Sequence, residues 1–204
     1  MTDAPAAPAG IDWRGRIIEA LTHHVGAVGP GASDRPPTGP IRPAAVLVPI
    51  VLSPAPTVLL TLRAETLTSH AGQVSLPGGR IEPADEGAAG AALRETEEEI
   101  GVPRAAVEVA GVLPRYLTGT GFAISPLVGL LRPPLALVPD PREVAEVFEL
   151  PLAVLLDEEA ARREELLVGG QRRRFWVIPH DRHRIWGATA AILVNLGRVL
   201  RAGM

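Results

Sequence analysis

Residues 94–99 of the chain read RETEEE, and this acidic run decides how the surrounding fold is interpreted. On an α-helix each residue turns by about 100°, so Glu95, Glu98 and Glu99 share one face while Glu97 points to the opposite side. No basic residue follows four positions after any of the three, so helix-stabilising ion pairs do not explain the cluster. The cluster also lies toward the C-terminus of the helix, where the helix dipole disfavours carboxylates. The run therefore predicts either a solvated acidic face or a site for a cation.

A hard divalent cation would turn this repulsion into binding, because carboxylate oxygens at i, i+3 and i+4 suit Mg²⁺ or Mn²⁺. Before the helix, residues 77–79 read Pro-Gly-Gly, and glycine allows the backbone to approach a metal or a phosphate closely. A strand, a Gly-rich loop and an acidic helix in this order favour a metal–diphosphate site over a solvated face.

The composition limits the class of protein. With 204 residues, of which 47% are hydrophobic and 21% charged, the chain is long enough for one domain with a real core. A net charge of −3 gives no general attraction to nucleic acid or to an anionic membrane, so neither is expected as a partner. The absence of cysteine excludes disulfides, thiolate metal sites and cysteine nucleophiles, and it fits a reducing cytoplasm.

Two segments bear on targeting and membrane insertion. Residues 1–10 lack the basic and continuous apolar parts of a signal peptide, so a cytoplasmic location is expected. Residues 43–62 carry no charge and are long enough to span a bilayer. However, Pro49, Pro54 and Pro56 interrupt them, and the apolar triplets between these prolines predict two strands joined by a turn.

The rest of the chain alternates helices and strands. Residues 1–43, comprising a tail, a short helix over residues 11–24 and a Pro/Gly-rich linker, precede a domain over residues 44–204. Within this domain we predict strands over residues 45–52, 57–63, 107–114, 122–131 and 144–150, helices over residues 86–100 and 188–201, and a late hairpin from residues 175–178 and 183–186. The last helix is apolar on most faces, which predicts deep burial or a homodimer contact. Interspersed elements of both kinds favour a mixed α/β layer fold.

The residues around the acidic run resemble the Nudix box, G-x5-E-x7-R-E-U-x-E-E-x-G-U, in which U is apolar. The matching positions are Gly79, Glu86, Arg94, Glu95, Thr96, Glu98, Glu99, Gly101 and Val102. Two features differ from the pattern. Six residues rather than five separate Gly79 from Glu86, and Thr96 stands where an aliphatic residue is usual. An inserted loop residue affects the register of the loop more than the metal ligands on the helix.

A second stretch resembles the signature LLTxR(S/A)x3Rx3Gx3FPGG, which marks the coenzyme A pyrophosphatase branch of the family. Residues 59–64 read LLTLRA and residues 72–79 read GQVSLPGG. Thr68 replaces the second arginine of the signature, and Leu76 replaces its phenylalanine. The resemblance extends over residues 44–200.

The resemblance implies a Nudix fold, in which a mixed β-sheet is sandwiched between α-helices. It also implies Mg²⁺- or Mn²⁺-dependent hydrolysis of the diphosphate in coenzyme A or acyl-coenzyme A, which yields adenosine 3′,5′-bisphosphate and (acyl-)phosphopantetheine. Two alternatives are a Nudix enzyme acting on ADP-ribose or another nucleoside diphosphate derivative, and a Nudix-fold binding protein without turnover. The complete glutamate set argues against the binding protein.

Carried over by position, Glu95 and Glu99 would be the main metal ligands, and Glu98 would share the metals or position water. Arg94 would orient the carboxylates, and Glu86 would support the loop. The predicted substrate contacts are Arg63, His70, Gln73, Gly78 and Gly79, with a backbone carbonyl of either glycine offered to the metal.

Some of these residues keep a second interpretation. Arg63 is the candidate for the 3′-phosphate of coenzyme A, with a salt bridge inside the fold as the alternative. His70 is a candidate substrate contact or proton shuttle, although a structural hydrogen bond is the favoured interpretation. Phe175 and Trp186 are expected in the core rather than stacked on adenine. Residues 172–174, Arg-Arg-Arg, are expected on a solvated hairpin rather than at a phosphate.

Glu143 lies outside the box, after a Pro-rich loop and before a predicted strand. The family often places a further acidic residue at the metal site in this region, so we predict that Glu143 is a ligand or the general base. Glu146 is the nearby competitor for the role. The alternative is an exposed loop charge close to Arg142.

Overall fold

The computed structural model describes residues 10–23, 39–168 and 171–203. The predicted tail and most of the predicted linker lie outside these ranges. The helices are α1 (Trp13–His23), α2 (Gly87–Ile100), α3 (Leu152–Leu156) and α4 (Gly187–Ala202), with a 3₁₀ turn at Arg104–Ala106. The strands are β1 (Arg42–Val51), β2 (Thr57–Arg63), β3 (Val74–Ser75), β4 (Gly78–Arg80), β5 (Glu108–Val112), β6 (Tyr116–Leu117), β7 (Phe122–Leu131), β8 (Val144–Pro151), β9 (Arg162–Val168), β10 (Gln171–Ile178) and β11 (Ile185–Trp186).

The main sheet is mixed, with strand order β3-β2-β1-β7-β5. β1 and β7 are parallel along their whole length, from the pair Arg42–Phe122 to the pair Val51–Leu131. The other pairings are antiparallel, and β4, β6 and β8 add to β1, β7 and β2 respectively. A second, antiparallel sheet has the order β11-β10-β9.

Alternation along β1 explains why helices cover both faces of the main sheet, because successive side chains point to opposite faces. Ala45 and Leu47 pack in one cluster with Ala91 and Ala92 of α2. Val48 and Ile50 belong to the opposite cluster, which contains Ile17 of α1 and Leu193 and Leu196 of α4. The sheet is therefore sandwiched between α2 on one side and α1 with α4 on the other, which confirms the predicted fold class.

The uncharged stretch over residues 43–62 forms β1, a turn and β2, as predicted. In the part of the chain that the structure describes, no helix is long and apolar enough to cross a membrane.

The predicted elements are present, and four strands were not predicted, namely the short strands β3, β4 and β6 and the longer strand β9. β2 and β7 have the predicted bounds, and α2 begins one residue after the predicted start. The β10–β11 hairpin pairs Val177 with Trp186, but β10 also pairs with β9 over a longer register. The run of charges at residues 162–165 hid β9, because it shows no apolar alternation. The apolar side chains of α4 are covered within the chain itself, which explains them without a homodimer contact.

Close packing of α4 on α3 generates the first prediction. A Cβ at Gly197 would overlap the carbonyl oxygen of Leu155. Gly197→Ala should therefore lower the free energy of unfolding by about 1–3 kcal/mol, because the backbones must separate. Gly90→Ala in α2 is the matched control, since its Cβ would meet the Cβ of Glu86 at 3.3 Å, and it should be neutral or stabilising by up to about 1 kcal/mol. Equal denaturation midpoints for the two variants would contradict this account of the helix contact.

Candidate active site

Helix α2 has an acidic face and a buried face, and the buried face includes the small residues Ala91, Ala92 and Thr96. It ends at Gly101, whose φ of 74° lies in the left-handed region that favours glycine. Thr96 is fully buried, and its hydroxyl donates to the carbonyl oxygen of Ala92 at 2.7 Å. This hydrogen bond satisfies the polar group, so threonine can occupy a position where the box usually has an aliphatic residue.

The glutamates of α2 differ in exposure as their helical phase predicts. Glu99 is only 4% exposed, and the side chain of Glu95 is 17% exposed. The side chain of Glu98 is 60% exposed. Glu97 is exposed on another side of the helix and pairs with Arg104 at 3.3 Å. The separation of Glu97 from the other three glutamates is therefore confirmed.

The carboxylates at this end of α2 raise one another's pKa. The pKa of Glu99 is raised to about 8, mainly by burial and also by the nearby charges of Glu95 and Glu143, while the charge of Arg63 and a hydrogen bond from the Gly78 backbone lower it. Burial also raises the pKa of Glu95, to which the charge of Glu143 adds. A carboxylate from the β8 end of the sheet thus lies close to the two most buried carboxylates of α2.

Arg94 connects this carboxylate face to the loop that precedes α2. Its guanidinium donates to both oxygens of Asp85, at 2.9 and 3.0 Å, and to the Arg80 carbonyl at 3.3 Å. The same group donates to Glu95 at 3.0 Å and to Glu98 at 3.1 Å. Arg94 therefore orients two of the three carboxylates while it is held by the loop.

The loop is supported by Asp85, one residue before the predicted Glu86. Hydrogen bonds from Arg94 hold the pKa of Asp85 down at about 2, aided by the backbone N–H of Glu82, which donates at 2.8 Å. Glu86 is exposed at the start of α2. The inserted residue explains the correction. Five residues separate Gly79 from Asp85, as the box requires, and the extra residue then lies after Asp85, since eight residues rather than seven separate it from Arg94.

Gly78 and Gly79 allow the backbone to pass close to the carboxylates. Gly78 has a φ of 152°, and a Cβ there would collide with the backbone of β1 at Ala45 and Val46. A Cβ at Gly79 would collide with the carboxylate of Glu95. Position 78 therefore requires glycine, whereas a side chain at position 79 would displace the carboxylate of Glu95, and the predicted metal contact through a carbonyl of either residue stays a prediction.

The donor set fits a hard divalent cation. Within residues 10–23, 39–168 and 171–203, no three acidic or histidine side chains converge tightly enough to enclose a metal ion, and Glu95 and Glu98 are turned toward Arg94. The available donors are nevertheless carboxylate oxygens, which Mg²⁺ and Mn²⁺ prefer. A cation would also relieve the unfavourable burial of Glu99, and Glu98, which is exposed and held by one hydrogen bond from Arg94, would have to turn to reach it.

Glu143 lies in a tight turn that packs against the end of α2. Its N–H donates to the Asp140 carbonyl at 3.0 Å, and its carbonyl accepts from the N–H of Ala64 at 2.8 Å. Arg142 forms its ion pair with Asp140, at 2.6 Å, although the charge of Glu143 also acts on it. The competitor Glu146 is engaged elsewhere, with Arg182 at 2.6 Å. This geometry favours Glu143 over Glu146 for the predicted role.

The predicted substrate residues fall into two groups. Arg63, at the end of β2, lies close enough to Glu99 to lower its pKa, and the buried Nε of Arg63 has no hydrogen-bond partner among the described residues. His70 and Gln73 lie in the loop that follows, where His70 Nδ1 and Gln73 Oε1 are 2.9 Å apart. His70 has a φ of 57°, an uncommon conformation for a residue other than glycine. His70 thus has a hydrogen-bond partner within its loop, and its predicted contact with the substrate stays a prediction.

The aromatic and basic residues of the small sheet lie outside this cluster. Phe175 and Trp186 are half-buried and contact each other edge to face, with centroids 5.5 Å apart. Arg172 and Arg174 are exposed and pair with Glu165, as expected for a solvated hairpin.

The raised pKa of Glu99 leads to a stability prediction. A buried carboxyl with a raised pKa stabilises the folded state only while it is protonated. The metal-free protein should therefore lose stability as the pH rises from about 4.5 to about 8. Glu99→Gln should flatten this slope and raise the melting temperature at pH 8, by roughly 2–4 °C for each kcal/mol recovered.

Glu97→Gln is the matched control, because Glu97 is exposed and should leave the slope unchanged. Saturating Mg²⁺ or Mn²⁺ should raise the melting temperature of the wild type and of Glu97→Gln, but much less that of Glu99→Gln. The same pH slope in all three metal-free proteins would refute the electrostatic account.

Comparison with known proteins identifies the family of this chain. The model of the Nudix domain matches residues 41–168. The chain is 43% identical over 157 residues to the uncharacterized Nudix hydrolase NudL of Photorhabdus laumondii, which covers 77% of this chain and 84% of that protein. It is 44% identical over 155 residues to NudL of Cronobacter sakazakii, with 76% and 81% covered. A solved Nudix hydrolase from M. smegmatis, RenU, is 26% identical with a TM-score of 0.48, covering 57% of this chain and 74% of that chain.

The box carboxylates lie together on α2, and the domain match spans more than half of the chain. Members of this family generally use divalent metal ions. The chain belongs to the Nudix family and is a pyrophosphohydrolase that acts on a nucleoside diphosphate derivative.

Proposed function

We propose that this enzyme hydrolyses the diphosphate of coenzyme A or acyl-coenzyme A, with Mg²⁺ or Mn²⁺ as cofactor, to adenosine 3′,5′-bisphosphate and (acyl-)phosphopantetheine. One observation carries the proposal. The two halves of the second signature, residues 59–64 and 72–79, meet at the carboxylates of α2, where Arg63 faces Glu99 and Gly78 donates to it. This placement of the signature residues beside the carboxylates of α2 supports the proposal.

The position of Arg63 changes its proposed role. Its charge acts on Glu99, so Arg63 lies beside the metal ligands, where the diphosphate of the substrate would bind. Its buried Nε, which lacks a partner among the described residues, is a donor for a phosphate oxygen. Arg63 is therefore proposed as a diphosphate contact, and the 3′-phosphate requires another cation.

The reaction joins the oxygen of water to one phosphorus and breaks the bridging P–O bond. A diphosphate repels a nucleophile, and a bound divalent cation supplies the charge that neutralises its oxygens and acidifies water. Glu95 and Glu99 would hold this cation and Glu98 would complete the set of ligands, while Arg94 orients the carboxylates of Glu95 and Glu98. Glu143 either joins the ligands or accepts the proton that the attacking water loses.

ADP-ribose, or another nucleoside diphosphate derivative, is the second candidate substrate. It lacks the 3′-phosphate and the pantetheine arm of coenzyme A. The observation in its favour is Thr68, which is exposed in the loop after β2 where the coenzyme A signature has an arginine. Without that arginine, the enzyme has one basic contact fewer with which to favour a substrate that carries an additional phosphate.

The metal face, the side of α2 that carries Glu95, Glu98 and Glu99, gives a direct kinetic prediction. Glu95→Gln or Glu99→Gln should lower kcat by at least about 100-fold with the fold intact, because each removes the charge of a metal ligand. Glu97→Gln, on the opposite side of α2, should change kcat less than about twofold. Circular dichroism checks the fold, and equal small effects at all three positions would remove the metal-face assignment.

The same assay tests Glu143 against Glu146. Glu143→Gln should lower kcat and shift or abolish the acidic limb of the pH–rate profile if Glu143 accepts the proton. If Glu143 is instead a ligand, the variant should need more metal for half-maximal activity. Glu146→Gln should leave both the acidic limb and the metal requirement unchanged. An unchanged rate in Glu143→Gln would place the role on another residue.

Substrate specificity is the fifth prediction. The wild type should have a higher kcat/KM for coenzyme A than for 3′-dephospho-coenzyme A or ADP-ribose, measured with Mg²⁺ and with Mn²⁺. Arg63→Ala should lower kcat/KM for all three substrates, because all contain the diphosphate that Arg63 is proposed to contact. A preference for ADP-ribose would leave the hydrolase assignment intact and overturn the coenzyme A proposal.

A further inference from the structure

The turn between β10 and β11 carries a cluster of basic side chains that the reaction site does not use. Arg182 donates to Glu146 of β8 at 2.6 Å, and His183 Nε2 lies 3.2 Å from the same carboxylate. The rings of His180 and His183 stack with centroids 5.3 Å apart. Both rings also contact Phe148, at 4.9 and 4.4 Å. The turn is thus held against β8 by aromatic contacts and by one carboxylate.

This cluster lies at the strand end from which Arg63 projects. Glu146 pairs across the sheet with Leu62, the residue before Arg63. The register of β2 with β8 shifts between Leu62 and Arg63, so Arg63 pairs with Val144, which packs in the same cluster as Ile100 of α2. Leu62 and Phe148 pack instead in the cluster that contains residues of α4. Arg63 therefore lies on the α2 side of the end of β2, while Arg182 and its neighbours, which contact Glu146 and Phe148, lie on the α4 side of the same strand end. The loop that contains His70 and Gln73 begins between them.

The cluster has hydrogen-bond donors left for a ligand. The side chain of Arg182 is 63% exposed, and among the described contacts it uses a single N–H, toward Glu146. His180 Nδ1 accepts from the backbone N–H groups of Arg182 and His183, both at 3.3 Å. In the neutral ring the proton must therefore be on Nε2, which becomes a donor. Burial lowers the pKa of His180, which keeps this form at neutral pH.

We propose that Arg182, with His180 beside it, forms a subsite for a phosphate monoester on the substrate, the 3′-phosphate when the substrate is coenzyme A. This inference rests on the proposed function, because Arg63 is committed to the diphosphate and the additional phosphate needs its own donors. A guanidinium with free N–H groups binds a phosphate dianion by charge-assisted hydrogen bonds. Glu146 holds one edge of Arg182, so the side chain is oriented before the substrate arrives.

A purely structural role for Arg182 predicts a different result. The pair with Glu146 would then only fix the turn, and its loss would affect every substrate alike. The test therefore compares two substrates that differ in the 3′-phosphate alone.

The experiment measures kcat and KM of Arg182→Ala for coenzyme A and for 3′-dephospho-coenzyme A. We expect kcat/KM for coenzyme A to fall roughly 10- to 100-fold, mainly through KM, with little change for the dephosphorylated substrate. The inhibition constant of adenosine 3′,5′-bisphosphate should rise in parallel, while that of AMP should not. Arg182→Lys should restore part of the preference. Arg184→Ala is the matched control, since Arg184 lies in the same turn but pairs with Glu164.

The possible failures are distinguishable. A wild type that ignores the 3′-phosphate overturns the coenzyme A proposal and the subsite together. A wild type that prefers coenzyme A, with the preference intact in Arg182→Ala, overturns the subsite alone. An equal loss on both substrates, together with a lower melting temperature, assigns Arg182 a structural role and also overturns the subsite.

Discussion

The ion pair between Arg94 and Asp85 is the interaction on which the reaction site depends. Their side chains are only 17% and 5% exposed, so water screens the pair less than a surface salt bridge. Asp85 also closes the turn before α2, and Arg94 also holds Glu95 and Glu98. One guanidinium thus fixes the position of the loop relative to the helix and the direction of two carboxylates. A guanidinium suits this role because its planar fork donates to several oxygens at once.

Around that pair, several residues lower the stability of the folded protein but serve the reaction. Glu99 is buried among other carboxylates and near one arginine, although burial of a charged group is unfavourable without a full complement of partners. Glycine at positions 78 and 79 leaves the unfolded chain more conformational freedom, which disfavours folding. In return, the backbone can pass close to β1 and to Glu95. Residues that would be poor choices for stability alone are concentrated at this end of α2, as is common where function opposes stability.

How much could be predicted from the sequence differs between parts of the molecule. The 3.6-residue period was enough to separate Glu97 from the other glutamates, and the uncharged stretch over residues 43–62 was resolved into two strands by its prolines. The helix pattern could not decide whether Asp85 or Glu86 supports the loop, because the inserted residue can be aligned either before or after the acidic position of the box. β9 escaped prediction because its charged residues lack alternation, and the neighbours of Arg63 and Arg182 depend on a cross-strand register that only tertiary structure defines.

The parallel pairing of β1 with β7 also governs how the molecule is assembled. Residues 42–51 meet residues 122–131, and the whole Gly-rich loop and α2 lie in the chain between them. Closing so long a segment costs chain entropy before the pairing returns any stabilisation, and topologies with such distant contacts fold slowly. The segment that carries the chemistry is therefore the connection between two adjacent strands of one sheet. A nascent chain released before Leu131 would contain every box glutamate and yet lack the strand that completes the sheet beneath them.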